Sequence, residues 1–124
     1  MKLAGQAMER AYAPYSGFYV GAALLAKSGK VYLGCNIENA SFSPTICAER
    51  AAFAKAVSEG EREFTAIAVV GGKERRPDGI CPPCGVCRQV MQEFCGPEFL
   101  IHMKGKSGIE TLTLAQLFPY GFSL

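Results

Sequence analysis

Three of the six cysteines in this 124-residue chain are spaced to hold a metal. Pro83-Cys84-Gly85-Val86-Cys87 carries a Cys-x-x-Cys pair, and Cys47-Ala48-Glu49 places a third thiol two residues before a carboxylate. A Cys-x-x-Cys pair joined by a distant third Cys or His is a zinc-ligand pattern. Structural zinc sites are usually closed by a fourth protein ligand, and none stands out here. The only histidine, His102, lies far downstream in an apolar run. Three soft ligands, an open position and a nearby carboxylate, Glu49, make a set suited to activating water on zinc.

Other readings of the same cysteines exist. Cys81-Pro82-Pro83-Cys84 is also Cys-x-x-Cys, so the pair can be drawn in two ways. A lone pair of this kind serves as a redox motif or as half of a zinc ribbon. A ribbon needs a second pair at similar spacing, and Cys35, twelve residues before Cys47, does not supply one. A redox reading leaves Cys47-Ala48-Glu49 without a purpose.

The ligands need elements to converge them. Cys47 to Ser58, rich in Ala with Glu and Lys, reads as a helix stopped at Gly60; Gly85 to Cys95 reads as a second, ended by Gly96-Pro97. Cys84 and Cys87, three apart, share a face in the first turn of that helix. Cys47 and Glu49 would diverge in mid-helix, but at a first turn both reach a point beyond the helix end. Two helix N-termini then aim at one metal. Their positive ends offset the excess negative charge of three thiolates by about 0.3–1 kcal/mol per charge and terminus. Arg50 and Arg88 adjoin the ligands as further donors to sulfur, or as partners in surface salt bridges. Elsewhere, Ala4 to Tyr12 reads as a short helix. Tyr19 to Lys27 and Val31 to Cys35 form a hairpin turned at Ser28-Gly29. Phe64 to Val70 is a buried strand, followed by a Gly- and Pro-rich loop over Gly71 to Pro83. Phe99 to Met103 and Glu110 to Leu112 are short strands, and Leu114 to Phe118 is a helical turn. Such alternation predicts an α/β sheet covered by helices.

Composition narrows the function. The length suits a single domain over residues 1–124, and 49% hydrophobic residues supply one core. Lys+Arg 13 against Asp+Glu 11 leaves +2, and the only basic block, Lys73-Glu74-Arg75-Arg76, is short; nucleic acid is not an expected partner. Met1-Lys2-Leu3-Ala4-Gly5-Gln6 turns polar too soon for a signal peptide, and no run approaches a membrane span. A cytoplasmic location with reduced thiols is therefore expected, rather than a secreted disulfide scaffold.

Beyond the zinc blocks, Ala13-Pro14-Tyr15-Ser16, Val20-Gly21-Ala22-Ala23-Leu24-Leu25, Gly34-Cys35-Asn36-Ile37-Glu38-Asn39-Ala40, Cys47-Ala48-Glu49-Arg50, Pro83-Cys84-Gly85-Val86-Cys87-Arg88-Gln89 and Leu117-Phe118-Pro119 can be quoted together. With these blocks the chain resembles the small homotetrameric, zinc-dependent cytidine deaminases, from Ala11 almost to the C-terminus. Cys-x-Glu followed by Pro-Cys-x-x-Cys matches the zinc-deaminase signature with Cys in place of His. The resemblance implies a three-layer α/β/α fold with a mixed, roughly five-stranded sheet. It implies one Zn²⁺ per chain on Cys47, Cys84 and Cys87, with Glu49 shuttling protons and Arg50 supporting the ligands. It further implies nucleoside contacts from Phe18, Asn36, Glu38 and Ala48, with Phe42 and Phe122 arriving from neighbouring subunits of a homotetramer with shared active sites. The expected reaction is hydrolytic deamination of cytidine and deoxycytidine to uridine and deoxyuridine with release of ammonia, a pyrimidine-salvage step. The alternative is deamination of a cytosine nucleoside antibiotic such as blasticidin S. The Asn36-Ile37-Glu38-Asn39 block favours the free nucleosides. Read without the resemblance, Asn36 and Glu38 are turn-forming polar residues, and Phe18, Phe42 and Phe122 are core or interface aromatics. Phe42 stands where a tyrosine is common in the family, and the Lys73 to Pro82 loop is longer and more charged than usual.

Overall fold

Residues 18–26 are apolar on both faces of one strand, which dictates a sheet covered on both sides. The computed structural model describes residues 1–124 and shows that arrangement. In chain order the elements are α1 (Lys2–Met8), β1 (Phe18–Ala26), β2 (Val31–Cys35), α2 (Ala48–Ser58), β3 (Phe64–Lys73), α3 (Gly85–Phe94), β4 (Leu100–Gly105), β5 (Gly108–Thr113) and α4 (Leu114–Leu117). The sheet runs β2-β1-β3-β4-β5. Only β3 and β4 are parallel, and the other neighbours are antiparallel, so the five-stranded sheet is mixed, as expected. A parallel pair requires a crossover; here the crossover carries α3.

The period-two alternation of β1 sorts its side chains between two cores. Val20, Ala22, Leu24 and Ala26 join α2, β3, β4 and Met91 of α3 in the larger core. Ala23 faces the other way, with Val70 of β3 and Ala4 and Met8 of α1. Phe53 of α2 anchors the larger core against Phe64, with ring centroids 5.1 Å apart in an edge-on pair. Two glycines set the layer spacing. A Cβ on Gly21 would stand 2.0 Å from the Ala4 carbonyl oxygen, and one on Gly34 would stand 2.3 Å from the Ala48 oxygen and 2.5 Å from the Ala52 nitrogen. The backbone of α1 therefore lies directly on β1, and that of α2 directly on β2 from the opposite side.

The hairpin, α2, α3 and the short strands β4 and β5 match expectation within a residue or two. Two boundaries differ more. The first helix spans Lys2–Met8 rather than Ala4 to Tyr12. Tyr12 is drawn out of it by long-range pairing: its N–H donates to the Asn36 carbonyl at 2.9 Å, and its carbonyl accepts from the Glu38 N–H at 2.8 Å. The strand begun at Phe64 does not stop at Val70 but runs to Lys73, because Gly71, Gly72 and Lys73 pair with Val20, Tyr19 and Phe18. Neither pairing has a local signature.

Because α2 bears on Gly34 and starts beside Cys47, substitution there reaches the predicted metal site. Gly34→Ala is expected to destabilise the fold by about 1–3 kcal/mol, as overpacking does, and to loosen zinc retention. Gly21→Ala should have a similar effect on stability without touching zinc, since α1 carries no candidate ligand. Thermal melts paired with metal analysis separate the two, and equal zinc loss in both variants would contradict this division.

Candidate metal centre

Cys47 and Cys84 occupy equivalent positions, each the N-cap of its helix in extended backbone conformation (φ −76°, ψ 155° and φ −70°, ψ 169°). Neither thiol caps a backbone N–H. The first-turn N–H groups of α2 and α3 are left facing the space beyond the helix ends, where the positive ends of both dipoles lie. Cys87, in the first turn of α3, completes the cluster from a buried position. Cys47 Sγ is 3.7 Å from Cys84 Sγ, which is 3.5 Å from Cys87 Sγ, and all three sulfurs lie within 4.8 Å of one another. Sulfurs at about 2.3 Å from a tetrahedral zinc stand about 3.8 Å apart. The two sulfur pairs on Cys84 are close to that spacing, so the donor set fits the ion, and no fourth Cys, His, Asp or Glu joins it.

This geometry decides between the two ways of drawing the pair. Cys81 lies outside the cluster. It packs against the main core, its Sγ 3.0 Å from where a Cβ on Gly71 would stand, and burial pushes its thiol up to about 12. All six cysteines are free, and Cys35 is likewise held protonated by burial. His102, on β4, is engaged with Thr111 Oγ1 at 2.7 Å.

One thiol of the cluster, Cys47, is made acidic by its neighbours. Hydrogen bonds from Cys87, then from Arg50 and Cys84, pull the Cys47 thiol down to about 5 against the opposing effect of burial. Cys87, the donor in that arrangement, is driven up. Arg50 Nη2 lies 3.6 Å from Cys47 Sγ and 3.5 Å from the Thr45 carbonyl oxygen, while its buried Nε has no acceptor within the chain. Arg88 turns away from the sulfurs. Its Nε donates to the Pro83 carbonyl at 2.7 Å and its Nη1 to the Leu117 carbonyl, bracing the loop before α3 against α4.

Glu49 is the one buried charged residue of the chain, at 4% exposure. Burial first, and then the neighbouring Cys47 charge, raises its carboxyl to about 7. A carboxyl tuned to neutrality can both take and give a proton. Ala48, the first residue of α2, is fully buried beside it.

The remaining predicted residues form a second group. Asn36 inserts its amide between strand groups of β1: Oδ1 accepts from the Val20 N–H at 2.9 Å and Nδ2 donates to the Phe18 carbonyl at 2.9 Å. One donor and one acceptor site on the amide stay free. Glu38 accepts from the backbone N–H groups of Tyr15 and Ser16, at 3.0 and 3.1 Å, and from the Ser16 hydroxyl. Phe18 packs its ring on the edge of the main core. Phe42 shares a cavity of about 290 Å³ with Glu38 but is itself 83% exposed. Phe122, 64% exposed, lies on the C-terminal tail, which is tied to α3 by Gln89 Nε2 donating to the Phe122 carbonyl at 3.2 Å. The part played by Ser16 was not legible from residue type. Ser16 stood in the sequence only as the last residue of the Ala13-Pro14-Tyr15-Ser16 block, with no role of its own.

Comparison with known proteins places this geometry. The family model described as the cytidine and deoxycytidylate deaminase zinc-binding region matches residues 1–103. A cytidine deaminase from Sporosarcina psychrophila is 54% identical over 95% of this chain and 85% of that protein. The crystal structure of cytidine deaminase from Burkholderia pseudomallei superposes with a TM-score of 0.89 at 44% identity, covering 98% of this chain and 94% of that one. Similarity falls to 32% identity, over 85% of this chain and 77% of the relative, for a blasticidin-S deaminase from Bacillus cereus.

The ligand set is open to a direct check. Alanine at Cys47, Cys84 or Cys87 should strip zinc, whereas Cys81→Ala and Cys35→Ala should retain one zinc per chain by metal analysis. Zinc lost from Cys81→Ala but kept in Cys84→Ala would reverse the pairing.

Proposed function

The chain belongs to the zinc-binding cytidine deaminase family, and from that membership we propose that it hydrolyses cytidine and deoxycytidine to uridine and deoxyuridine, releasing ammonia. The observation that carries the reading is the triad of thiols at zinc spacing with the buried Glu49 carboxyl two residues from Cys47. A structural zinc site has no need of such a carboxyl. Bound zinc would supply a Lewis acid that brings the pKa of water near 7. Cys47, Cys84 and Cys87 would hold the ion, with Arg50 steadying Cys47. Glu49 takes the proton of the attacking water, delivers it to N3 of the cytosine ring, and protonates the amine leaving C4. Water adds at C4, the hydroxyl formed there passes its remaining proton through Glu49 to the amine, the C4–N bond breaks to release ammonia as the C4 carbonyl forms, and Glu49 returns to its starting state.

Recognition divides between base and sugar. Phe18 packs on the base, Ala48 contacts it beside Glu49, and Asn36 and Glu38 hold the ribose with the sites their own hydrogen bonds leave free. Free cytosine lacks the sugar contacts and should be a poor substrate. A monophosphate should be poor as well, because Glu38 repels it. The antibiotic-nucleoside alternative has weaker support, since similarity is lower on that side and the Asn36-Ile37-Glu38-Asn39 block suits a ribose. An ultraviolet assay against cytidine, deoxycytidine, cytosine, cytidine monophosphate and blasticidin S tests the assignment.

We further infer a single catalytic domain acting in pyrimidine salvage in the cytoplasm, as a homotetramer whose sites are completed by Phe42 and Phe122 of neighbouring subunits. The exposure of both residues supports this: their own chain leaves most of each uncovered. No helix is long and apolar enough to cross a membrane.

Two outcomes follow. Glu49→Gln should keep its zinc and lose about 10²–10⁴-fold in turnover, or more, since one group serves several proton transfers. Near-normal turnover would remove Glu49 from the mechanism. Truncation before Tyr120 should weaken both assembly and nucleoside binding with zinc still bound. Light scattering of the intact protein is the companion measurement, and a fully active monomer excludes shared sites.

A further inference from the structure

Ser16 sits at a junction that the deaminase reading does not use. Its hydroxyl donates to Glu38 Oε2 and accepts from the Phe18 N–H at 3.0 Å. Its own N–H, with that of Tyr15, holds Glu38 Oε1. Residues 22 apart in sequence are thereby locked together. No Lys or Arg lies within ion-pairing distance of Glu38; the one salt bridge in the chain joins Lys27 to Glu63. The carboxylate is instead kept ionised by these donors, the Ser16 hydroxyl first and the two backbone N–H groups after it, and its pKa falls below the usual range despite some desolvation. A carboxylate offers about four lone-pair directions. Three are taken, so the direction of the last is fixed by Ser16. Glu38 and Ser16 line the same cavity, which also holds Phe42.

We propose that Ser16 is a positioning residue for nucleoside recognition: one hydroxyl sets both the carboxylate that receives the sugar and the backbone of the residue that packs on the base. This inference rests on the deaminase reading of the site. A serine is suited to the task because a hydroxyl can donate and accept at once. Alanine at this position leaves Oε2 of Glu38 free to swing and leaves the Phe18 N–H without its partner.

The test uses the zinc-loaded, full-length protein and its Ser16→Ala and Ser16→Thr variants, with melting temperature and zinc content recorded for each. Ser16→Ala should raise KM for cytidine about tenfold, the scale of a hydrogen bond to a charged group, with kcat changed by less than about threefold. Turnover of free cytosine, which makes no sugar contact, should fall less than that of cytidine, because only the hold on Phe18 is lost. Ser16→Thr, which keeps the hydroxyl, should restore KM. Carbon-13 NMR of the Glu38 carboxyl gives a readout independent of activity. Its titration midpoint should move up in Ser16→Ala, because a donor to the charged form is lost, and should return in Ser16→Thr. An unmoved midpoint overturns the hold of Ser16 on Glu38. A moved midpoint with unchanged KM, or a loss confined to kcat, overturns the role in recognition. A wild-type chain inert toward cytidine overturns the deaminase reading and the recognition role with it, while the NMR titration still decides whether Ser16 positions Glu38.

Discussion

The bearing of α2 on Gly34 is the contact on which the remaining geometry depends. With no side chain between them, the helix backbone lies against the edge strand, and Cys47 comes to rest at one fixed point beyond the strand's end. The crossover that makes β3 and β4 parallel delivers α3, and Cys84 with it, to the same place. Two helix starts then meet with their thiols 3.7 Å apart. The positive helix ends, Arg50 and the metal itself share one task, which is to balance sulfur charge in a region partly closed to water. Glu49 inherits its burial from the same packing.

Two carboxylates near this region have been moved in opposite directions by their surroundings. Glu49 is enclosed by the packing of α2 and is pushed toward neutrality. Glu38 is on the surface and is pulled toward permanent charge by three donors from one turn. The first environment suits a group that must gain and lose a proton. The second suits a group that must stay an acceptor throughout. The division follows from position in the fold, since the side chains are chemically alike.

What was legible in the sequence was what local chemistry specifies. The turn at Ser28-Gly29, the two helices that begin at cysteines and the spacing of Cys84 and Cys87 carry their own signals, and the structure keeps them. Cys47 could be joined to that pair only by the pattern Cys-x-Glu, since nothing local says that α2 and α3 meet. The end of α1 and the extension of β3 were hidden for the same reason. Tyr12 leaves its helix to pair with residues near Ile37, and Gly71 and Gly72, which read as a break, continue a strand because β1 lies alongside. Ser16 shows the limit most plainly. Nothing beside it in the sequence marks its partner, which is 22 residues away.

The separation of Cys47 from Cys84 has a thermodynamic meaning of its own. The two thiols are 37 residues apart along the chain. An ion held by both closes a loop of that length, as a disulfide would. In the chain-entropy treatment of crosslinks, a loop of this size removes about 4 kcal/mol of freedom from the unfolded ensemble. A metal held there would therefore act as a reversible crosslink between two helices of one layer as well as a reagent. Its removal by a chelator would widen the unfolded state at the same time as it disarms the site, so loss of chemistry and loss of cohesion are tied to a single ion.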